Sequence, residues 1–318
     1  MHGIPAHPGQ TSQVIVIVCP GQGSQKPGFL TPWLDLDGVG AALERYSEAS
    51  GLDLTAHGTV SDEDTIRDTA VAQPLIVAAG LVTLNALRER ISGPVDGFAG
   101  HSVGEITAAA AAGVLSEDDA LGFVSTRARA MAAAAAAVPT GMSAVLGGDE
   151  ATVLALVSEL GLEPANFNGG GQIVVAGDLG ALAQLAERAP RGTRVVPLQV
   201  AGAFHTRYMA PARDALATVR TSLTPHDPET RLWSNNHGAP VTSGTEFADL
   251  LVTQVASPVR WDRTMDSFVE LGVTGLVELA PAGALTGLAK RAMRGVPTVA
   301  VRTPDDLDAA VELLSTTR

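Results

Sequence analysis

The chain has 318 residues, of which 46% are hydrophobic, and this is enough to bury a sizeable core in one large domain that carries an insert. Its net charge of -13 argues against nucleic acid or an anionic membrane as a general partner. The single cysteine, Cys19, excludes an intramolecular disulfide and fits a reducing compartment, so we expect a cytoplasmic protein.

The first half of the chain predicts an α/β pattern. Residues 1–13 lack the apolar core of a signal peptide and are expected to form a tail. The β-branched run VIVIV at 14–18 predicts a strand buried on both faces of a parallel sheet. A mostly buried helix at 72–90 and a short strand at 94–100 follow. No apolar run is expected to reach the roughly 18 residues that cross a membrane.

From residue 139 the pattern changes to that of a smaller unit. Its segments follow the order βαββαβ, which is typical of a ferredoxin-like fold. They are 142–147, 149–160, 164–168, 172–177, 179–189 and 193–200. We therefore predict a ferredoxin-like small domain at 139–203, inserted into an α/β catalytic domain that is formed by 14–138 and 204–318.

Strands and helices alternate again after the insert. The predicted elements are a helix at 207–222, a strand in TRLWSN, helices at 246–255 and 259–271, a strand at 275–281 and a helix that ends near Arg294.

The segment GHSVG at 100–104 matches the pattern G-x-S-x-G. A strand is predicted before it and a helix after it, and the two glycines allow a tight turn that exposes the hydroxyl of Ser102. The backbone N–H of Val103 would then point to the place where an oxyanion forms. The alternative is a serine that only caps the helix. The setting between strand and helix favours a nucleophile.

A serine nucleophile needs a base, and the chain offers seven histidines. His205 comes at the end of a predicted strand, where an α/β fold gathers catalytic groups. His101 adjoins the serine, but neighbours in a tight turn point apart, so we expect it to pack structurally. Ser102 and His205 are therefore the predicted pair.

Two more residues are candidates for binding the reacting group. Gln22 lies between glycines in CPGQGSQKPG, which lacks the spacing of a phosphate-binding loop and is better suited to presenting a backbone N–H as a second oxyanion donor. Arg127 lies on an almost wholly apolar helix, where an unpaired guanidinium is costly. Either it reaches solvent, as Arg129 is expected to do, or it binds a substrate carboxylate through two hydrogen bonds.

Eight motifs in a fixed order extend this pattern over most of the chain. They are PGQGSQ, GHSVGE, STRARAM, NFNGGGQIVVAG, GAFHT, SNN, QVASPVRW and ELAPAGALTGLAKR. With them the chain resembles the malonyl-CoA:acyl carrier protein transacylases of fatty acid and polyketide synthesis, from Val14 to about Arg294. The resemblance implies an α/β-hydrolase-like large domain with a parallel sheet and a ferredoxin-like insert.

The resemblance also implies roles for the candidate residues. Ser102 would be the nucleophile and His205 its base, while the N–H groups of Gln22 and Val103 would bind the oxyanion. Arg127 would bind the malonyl carboxylate.

Further residues receive roles from the resemblance alone. The backbone carbonyl of Gln254 would orient His205, in place of a carboxylate. Asn168 would line the pocket, and Phe204 would crowd a branched α-carbon and favour malonyl over methylmalonyl groups. Tyr208 departs from the family, whose members often have an aliphatic residue there.

The implied partners are malonyl-CoA and an acidic acyl carrier protein, with no cofactor or metal. Because the chain is itself acidic, docking would need a local basic patch, for which Lys290, Arg291 and Arg294 are candidates. These cations could equally complement a helix dipole. We expect a monomer that binds neither nucleic acid nor membrane. The sequence leaves open whether the carrier belongs to fatty acid or polyketide synthesis, although a free-standing chain of this size favours fatty acid synthesis.

Two other functions remain open at this stage. A serine hydrolase or thioesterase would share the nucleophile turn but release the acid to water. A non-catalytic carrier-binding module would keep only the scaffold. Arg127 and the missing triad carboxylate disfavour the first, and the intact serine and histidine disfavour the second.

Overall fold

The computed structural model describes residues 13–315, and all but one residue of the predicted N-terminal tail lies outside this range. The strands are β1 (Ile15–Cys19), β2 (Gly97–Gly100), β3 (Thr140–Gly147), β4 (Glu163–Gly169), β5 (Gln172–Asp178), β6 (Thr193–Pro197), β7 (Arg231–Trp233), β8 (Val259–Arg260), β9 (Gly275–Glu278) and β10 (Thr298–Ala300). They form two five-stranded sheets.

The described residues also form α-helices. They are α1 (Val39–Ser50), α2 (Leu54–Thr59), α3 (Glu63–Arg67), α4 (Thr69–Arg88), α5 (Gly104–Ala111), α6 (Glu117–Ala137), α7 (Glu150–Glu159), α8 (Leu179–Glu187), α9 (Ala210–Arg220), α10 (Gly244–Thr253), α11 (Trp261–Glu270), α12 (Ala284–Ala292) and α13 (Leu307–Ser315).

The first sheet is parallel, with the strand order β10-β9-β1-β2-β7. Its central strand β1 is buried on both faces, as the sequence predicts. Ile15, Ile17 and Cys19 pack into one apolar cluster, while Val16 and Val18 pack into another. Successive side chains of a strand point to opposite faces, so a continuous apolar run serves both layers.

The second sheet has the order β6-β3-β5-β4-β8. Its first four strands pair antiparallel, which is the ferredoxin-like arrangement expected for βαββαβ. The fifth strand, β8, comes from the second large-domain segment and pairs parallel to β4, with Val259 opposite Asn166. The predicted fold class is therefore confirmed, whereas the domain boundaries at 139 and 203 stay a prediction.

Several predicted elements have different ends in the structure, for local reasons. The predicted helix at 207–222 begins with a 3-10 turn, and α9 follows with Pro211 in its first turn. The predicted helix at 259–271 begins only at Trp261, because the two residues before it form β8. The helix expected to end near Arg294 ends at Ala292. The strand expected at 193–200 ends at Pro197.

Helix α4 corrects one expectation. It is long and apolar enough to cross a membrane by length and composition, contrary to the prediction that no segment would be. In this fold 78% of its apolar window is buried within the protein, as in the core helix of a globular domain.

Two glycines allow the turn between β2 and α5. A Cβ on Gly100 would lie 2.0 Å from the backbone of Gly104, and a Cβ on Gly104 would lie 2.1 Å from the carbonyl oxygen of Cys19. Such contacts are far inside van der Waals distance, so no larger residue fits without a shift of the backbone. The turn is thereby held directly above β1.

We predict that Gly104→Ala lowers the free energy of unfolding by about 3 kcal/mol or more, because its methyl group would collide with backbone atoms of β1. Urea unfolding measures this. The control is Gly40→Ala on α1, where an added Cβ meets nothing within 4 Å. It should raise stability by up to about 1 kcal/mol. A Gly104→Ala variant as stable as wild type would contradict the packing described here.

Candidate active site

Ser102 stands at the tip of the turn between β2 and α5 in a left-handed backbone conformation, with φ at 53°. Its N–H donates to Oδ1 of Asn235 at 2.8 Å, and Nδ2 of Asn235 donates to the carbonyl of Gly100 at 2.7 Å. His205, with φ at 63°, is the one other non-glycine residue in the described part of the chain with a positive φ. Such backbone strain persists only where the surroundings hold it, and it concentrates at functional sites.

The side chains of Ser102 and His205 meet across this site. Ser102 Oγ lies 2.7 Å from His205 Nε2, and His205 Nδ1 lies 2.9 Å from the carbonyl oxygen of Gln254. Because a carbonyl can only accept, Nδ1 carries the proton and Nε2 presents its lone pair to the serine hydroxyl. The structure thus gives His205 the geometry of a base for Ser102, oriented by a backbone carbonyl.

Burial sets the charge state of His205. The residue is 4% exposed, and burial lowers the pKa of His205 to about 3, with a further lowering from the positive charge of Arg127. A depressed pKa favours the neutral imidazole. The lone pair of Nε2 is therefore available throughout the neutral range.

Arg127 lies beside this pair and is 1% exposed, unlike the exposed Arg129. Its guanidinium donates to Gln73 Oε1 at 2.5 Å, to Gln254 Oε1 at 2.7 Å and to Ser102 Oγ at 3.2 Å. Burial lowers the pKa of Arg127 to about 10, which leaves it charged at neutral pH. All three acceptors are neutral, so the site holds a buried positive charge without a directly bound anion.

A cavity of about 560 Å³ opens onto Ser102 and Arg127. It includes most residues predicted from the sequence: Gln22, Ser102, Val103, Arg127, Asn168, Phe204, His205 and Arg291. A cavity of similar volume, about 600 Å³, lies around Arg45 and Asn85 and contains none of them. The cavity at Ser102 is therefore the candidate active site.

The two predicted oxyanion donors lie at this cavity. Val103 is the N-cap residue of α5, and the described hydrogen bonds of the turn use the N–H groups of His101, Ser102 and Gly104 rather than that of Val103. The side-chain amide of Gln22 donates to the carbonyl of Arg67 at 3.1 Å. Because this hydrogen bond holds the side chain of Gln22, the backbone N–H of Gln22 is the group that we expect to donate to an oxyanion.

His101 packs structurally, as the sequence predicts, and it has further contacts at the site. Its ring does pack against Trp261, with the ring centroids 5.7 Å apart, but it also lines the cavity. Its Nε2 lies 2.9 Å from Oδ1 of Asn168, so it links the nucleophile turn to β4 of the second sheet. Burial lowers the pKa of His101 and favours the neutral ring.

Three further polar residues of the site went unassigned in the sequence. Gln73 on α4 and Glu105 on α5 are buried, and Asn235 follows β7. Their sequence does contain an indication of a role, because a polar residue stands in a segment predicted to be buried. Such a residue needs a partner inside the protein.

The three predicted docking cations are exposed. Lys290 and Arg291 occupy the last turn of α12, Arg294 follows the helix, and Arg291 also lines the cavity. None of them forms an ion pair within residues 13–315. That part of the chain also contains no cluster of histidine, cysteine and acidic side chains that could hold a metal ion.

Comparison with known proteins assigns the chain to a family. The family described as "Acyl transferase domain" matches residues 16–309. The malonyl CoA-acyl carrier protein transacylase of Mycobacterium tuberculosis (strain ATCC 25618 / H37Rv) is 50% identical over 302 residues, which cover 94% of this chain and 100% of the relative. This chain belongs to the malonyl CoA-acyl carrier protein transacylase family.

Solved structures of the transacylase family agree with this assignment. The crystal structure of MCAT from Mycobacterium tuberculosis has a TM-score of 0.91 and 50% identity, and covers 94% of this chain and 100% of that one. A type II PKS acyl-carrier protein in complex with its malonyl-transacylase gives a TM-score of 0.89 at 30% identity, with 94% and 99% covered.

We predict that the ring of His205 stays neutral from about pH 8 to about pH 5, because its pKa lies far below the ordinary value of about 6.5. NMR of protein with ¹⁵N-labelled histidine measures the protonation of each ring. The spectrum of His205→Asn identifies the His205 signals by their loss. A titration of those signals with a midpoint near the ordinary value would contradict the account.

Proposed function

We propose that this protein transfers a malonyl group from malonyl-CoA to the phosphopantetheine thiol of an acyl carrier protein, through a malonyl ester on Ser102. The observation that carries the proposal is the buried guanidinium of Arg127, 3.2 Å from the hydroxyl that His205 is placed to deprotonate. In a malonyl thioester a single methylene group separates the carboxylate from the thioester carbonyl. A charge so near the nucleophile suits that short acyl group.

In the first half-reaction, Arg127 binds the malonyl carboxylate and holds the thioester carbonyl over Ser102. His205 Nε2 accepts the hydroxyl proton as Oγ attacks the carbonyl carbon. The N–H groups of Gln22 and Val103 stabilise the oxyanion. The C–S bond then breaks, the protonated His205 returns the proton to the leaving sulfur, and CoA departs as the thiol.

The second half-reaction reverses these roles with a different thiol. The thiol of the carrier's phosphopantetheine arm gives its proton to His205 Nε2 and attacks the malonyl ester of Ser102. The ester C–O bond breaks, and Oγ regains the proton from His205. The kinetics are therefore expected to be ping-pong.

Charge and size both select the acyl group in this proposal. Arg127 binds a group that ends in a carboxylate, because its present hydrogen-bond acceptors are neutral and an anion is a stronger partner. Phe204, which lines the cavity, would crowd a methyl branch on the α-carbon. One methyl group is worth only about 1–3 kcal/mol, so we expect a preference for malonyl over methylmalonyl rather than exclusion.

The carrier is proposed to be one of fatty acid or polyketide synthesis. Relatives named malonyl CoA-acyl carrier protein transacylase include those of Mycobacterium tuberculosis and Escherichia coli (strain K12), while a related transacylase has been solved with a polyketide carrier. The cytoplasmic location, the monomeric state and the independence from a cofactor stay predictions.

Ser102→Ala should abolish covalent malonyl labelling, since no other oxygen replaces its Oγ beside His205. Intact-mass spectrometry after mixing with malonyl-CoA measures the adduct, and peptide mapping locates it. In wild type the adduct should disappear when carrier thiol is added. Persistent labelling of the variant, or loss of the wild-type adduct as free malonate without carrier, would contradict the transferase proposal; the second result would favour a hydrolase.

Arg127→Ala should reduce malonyl transfer about 10- to 100-fold more than acetyl transfer, because only the malonyl group has a carboxylate to pair with the guanidinium. The rates of enzyme acylation by malonyl-CoA and acetyl-CoA give the ratio. Arg129→Ala, on the exposed side of the same helix, is the matched control and should leave the ratio unchanged. Equal losses with both donors in Arg127→Ala would exclude the proposed carboxylate contact.

The carrier is proposed to dock at Lys290, Arg291 and Arg294, beside the cavity. Lys290→Glu should raise the KM for carrier protein about tenfold at low salt while leaving acylation by malonyl-CoA unchanged. Arg213→Glu makes the same charge change on α9 and serves as control. If both variants keep the wild-type carrier KM, the basic side chains only complement the dipole of α12.

A further inference from the structure

Glu105 is a buried carboxylate for which the proposed mechanism has no use. It lies in the first turn of α5, three residues after the nucleophile, and is 1% exposed. Its Oε1 accepts the backbone N–H of Asn235 at 2.8 Å, and its Oε2 accepts from the side-chain amide of Gln254. A buried carboxylate is costly unless its contacts compensate, and Glu105 obtains these contacts from two residues next to the nucleophile turn and the base.

Gln254 connects Glu105 to Arg127, to the backbone of Ser102 and to His205. Its Nε2 donates to Glu105 and, at 2.9 Å, to the carbonyl of Ser102. Its Oε1 accepts from Arg127 at 2.7 Å, and its backbone carbonyl accepts from His205 at 2.9 Å. One side chain therefore links the nucleophile turn to the arginine, while its backbone orients the base.

The chemistry of these groups fixes which way the amide of Gln254 points. An ionised carboxylate only accepts hydrogen bonds, and a guanidinium only donates them. A glutamine amide satisfies these partners in one orientation, with its oxygen toward Arg127 and its nitrogen toward Glu105 and the carbonyl of Ser102. In the opposite orientation the amide oxygen would face a carboxylate oxygen of Glu105, and the amide nitrogen would face an N–H group of Arg127. Neither contact is a hydrogen bond.

The interposed amide also keeps the two charges apart. Within residues 13–315, Arg127 forms no ion pair with a carboxylate at 4.0 Å or less. A direct bond between Glu105 and Arg127 would occupy the guanidinium with a protein anion. Because a neutral amide lies between them, the arginine is held in place and can still bind a substrate carboxylate.

We propose that Glu105 is a positioning residue, which fixes the amide of Gln254 and through it sets the guanidinium of Arg127 relative to Ser102. This rests on the proposed function of Arg127 in binding the malonyl carboxylate. Glu105 acts on selection of the acyl group rather than on the nucleophile itself. Burial raises the pKa of Glu105 to about 7, although its hydrogen bonds with Asn235, Gln254 and Ser234 and the charge of Arg127 lower it. The acceptor-only carboxylate is therefore the main form above neutral pH.

The first test is Glu105→Gln, which keeps the shape of the side chain but replaces the acceptor-only group with an amide. Acylation by malonyl-CoA should slow about tenfold or more, as expected when a positioning contact is lost, while acylation by acetyl-CoA should change less than about threefold. Glu278→Gln is the matched control. Glu278 is also fully buried and accepts the N–H groups of Leu285 and Thr286, and it has no described hydrogen bond or ion pair with Arg127 or Gln254. It should lower stability without changing the ratio of the two rates.

The second test asks whether Glu105 acts through Gln254. Gln254→Ala removes the amide but keeps the backbone carbonyl that orients His205, and it should by itself reduce malonyl acylation more than acetyl acylation. In a protein that already carries Gln254→Ala, the added Glu105→Gln substitution should cause no further change in the ratio of the malonyl to the acetyl acylation rate. If Glu105→Gln does not fold, Gln254→Ala alone still tests the role of the amide.

Each outcome separates this inference from the proposed function. A wild-type protein without a malonyl adduct on Ser102 would contradict the proposed function. A normal wild-type adduct, with Glu105→Gln slowing both donors equally or leaving both unchanged, would overturn only the role of Glu105. A malonyl-specific loss that persists undiminished in Gln254→Ala would overturn the path through the amide.

Discussion

The hydrogen bond between Ser102 Oγ and His205 Nε2 joins two segments that lie 103 residues apart in the chain, and both residues hold a left-handed backbone conformation. Each conformation is held by surrounding contacts. On the serine side, Gly104 packs onto β1 and Asn235 bonds the serine N–H. On the histidine side, the N–H of His205 donates to the carbonyl of Val255 at 3.0 Å. Contacts with the rest of the fold thus offset the free-energy cost of the two left-handed backbone conformations.

A second constraint is the buried charge of Arg127. The protein surrounds it with neutral oxygens of Gln73, Gln254 and Ser102, and keeps the carboxylate of Glu105 one amide away. The positive charge also helps to keep His205 neutral. In the proposed reaction, the substrate carboxylate would partly compensate that charge just before His205 has to accept a proton. Binding of the acyl group and activation of the base would then be electrostatically linked.

The main architecture and the central pair could be predicted from the sequence because their signals are local. A continuous apolar run gave β1, and glycines around a serine between strand and helix gave the turn at Ser102. The contacts of Glu105 with Asn235 and Gln254 join residues 130 and 149 positions apart, and no local pattern encodes them. Strand β8 has two residues, too few for any periodicity, and exists only because β4 pairs with it. The contacts of His101 with Trp261 and Asn168 form only when the second sheet packs beside the nucleophile turn, so no local pattern predicts them.

A crystal structure of the malonyl-enzyme, trapped with malonyl-CoA in the absence of carrier thiol, tests the central claim most directly. The account predicts a malonyl ester on Ser102 with its carboxylate hydrogen-bonded to Arg127 and its carbonyl oxygen between the N–H groups of Gln22 and Val103. A malonyl ester whose carboxylate points into solvent, with Arg127 still bound to the two glutamines alone, would contradict it.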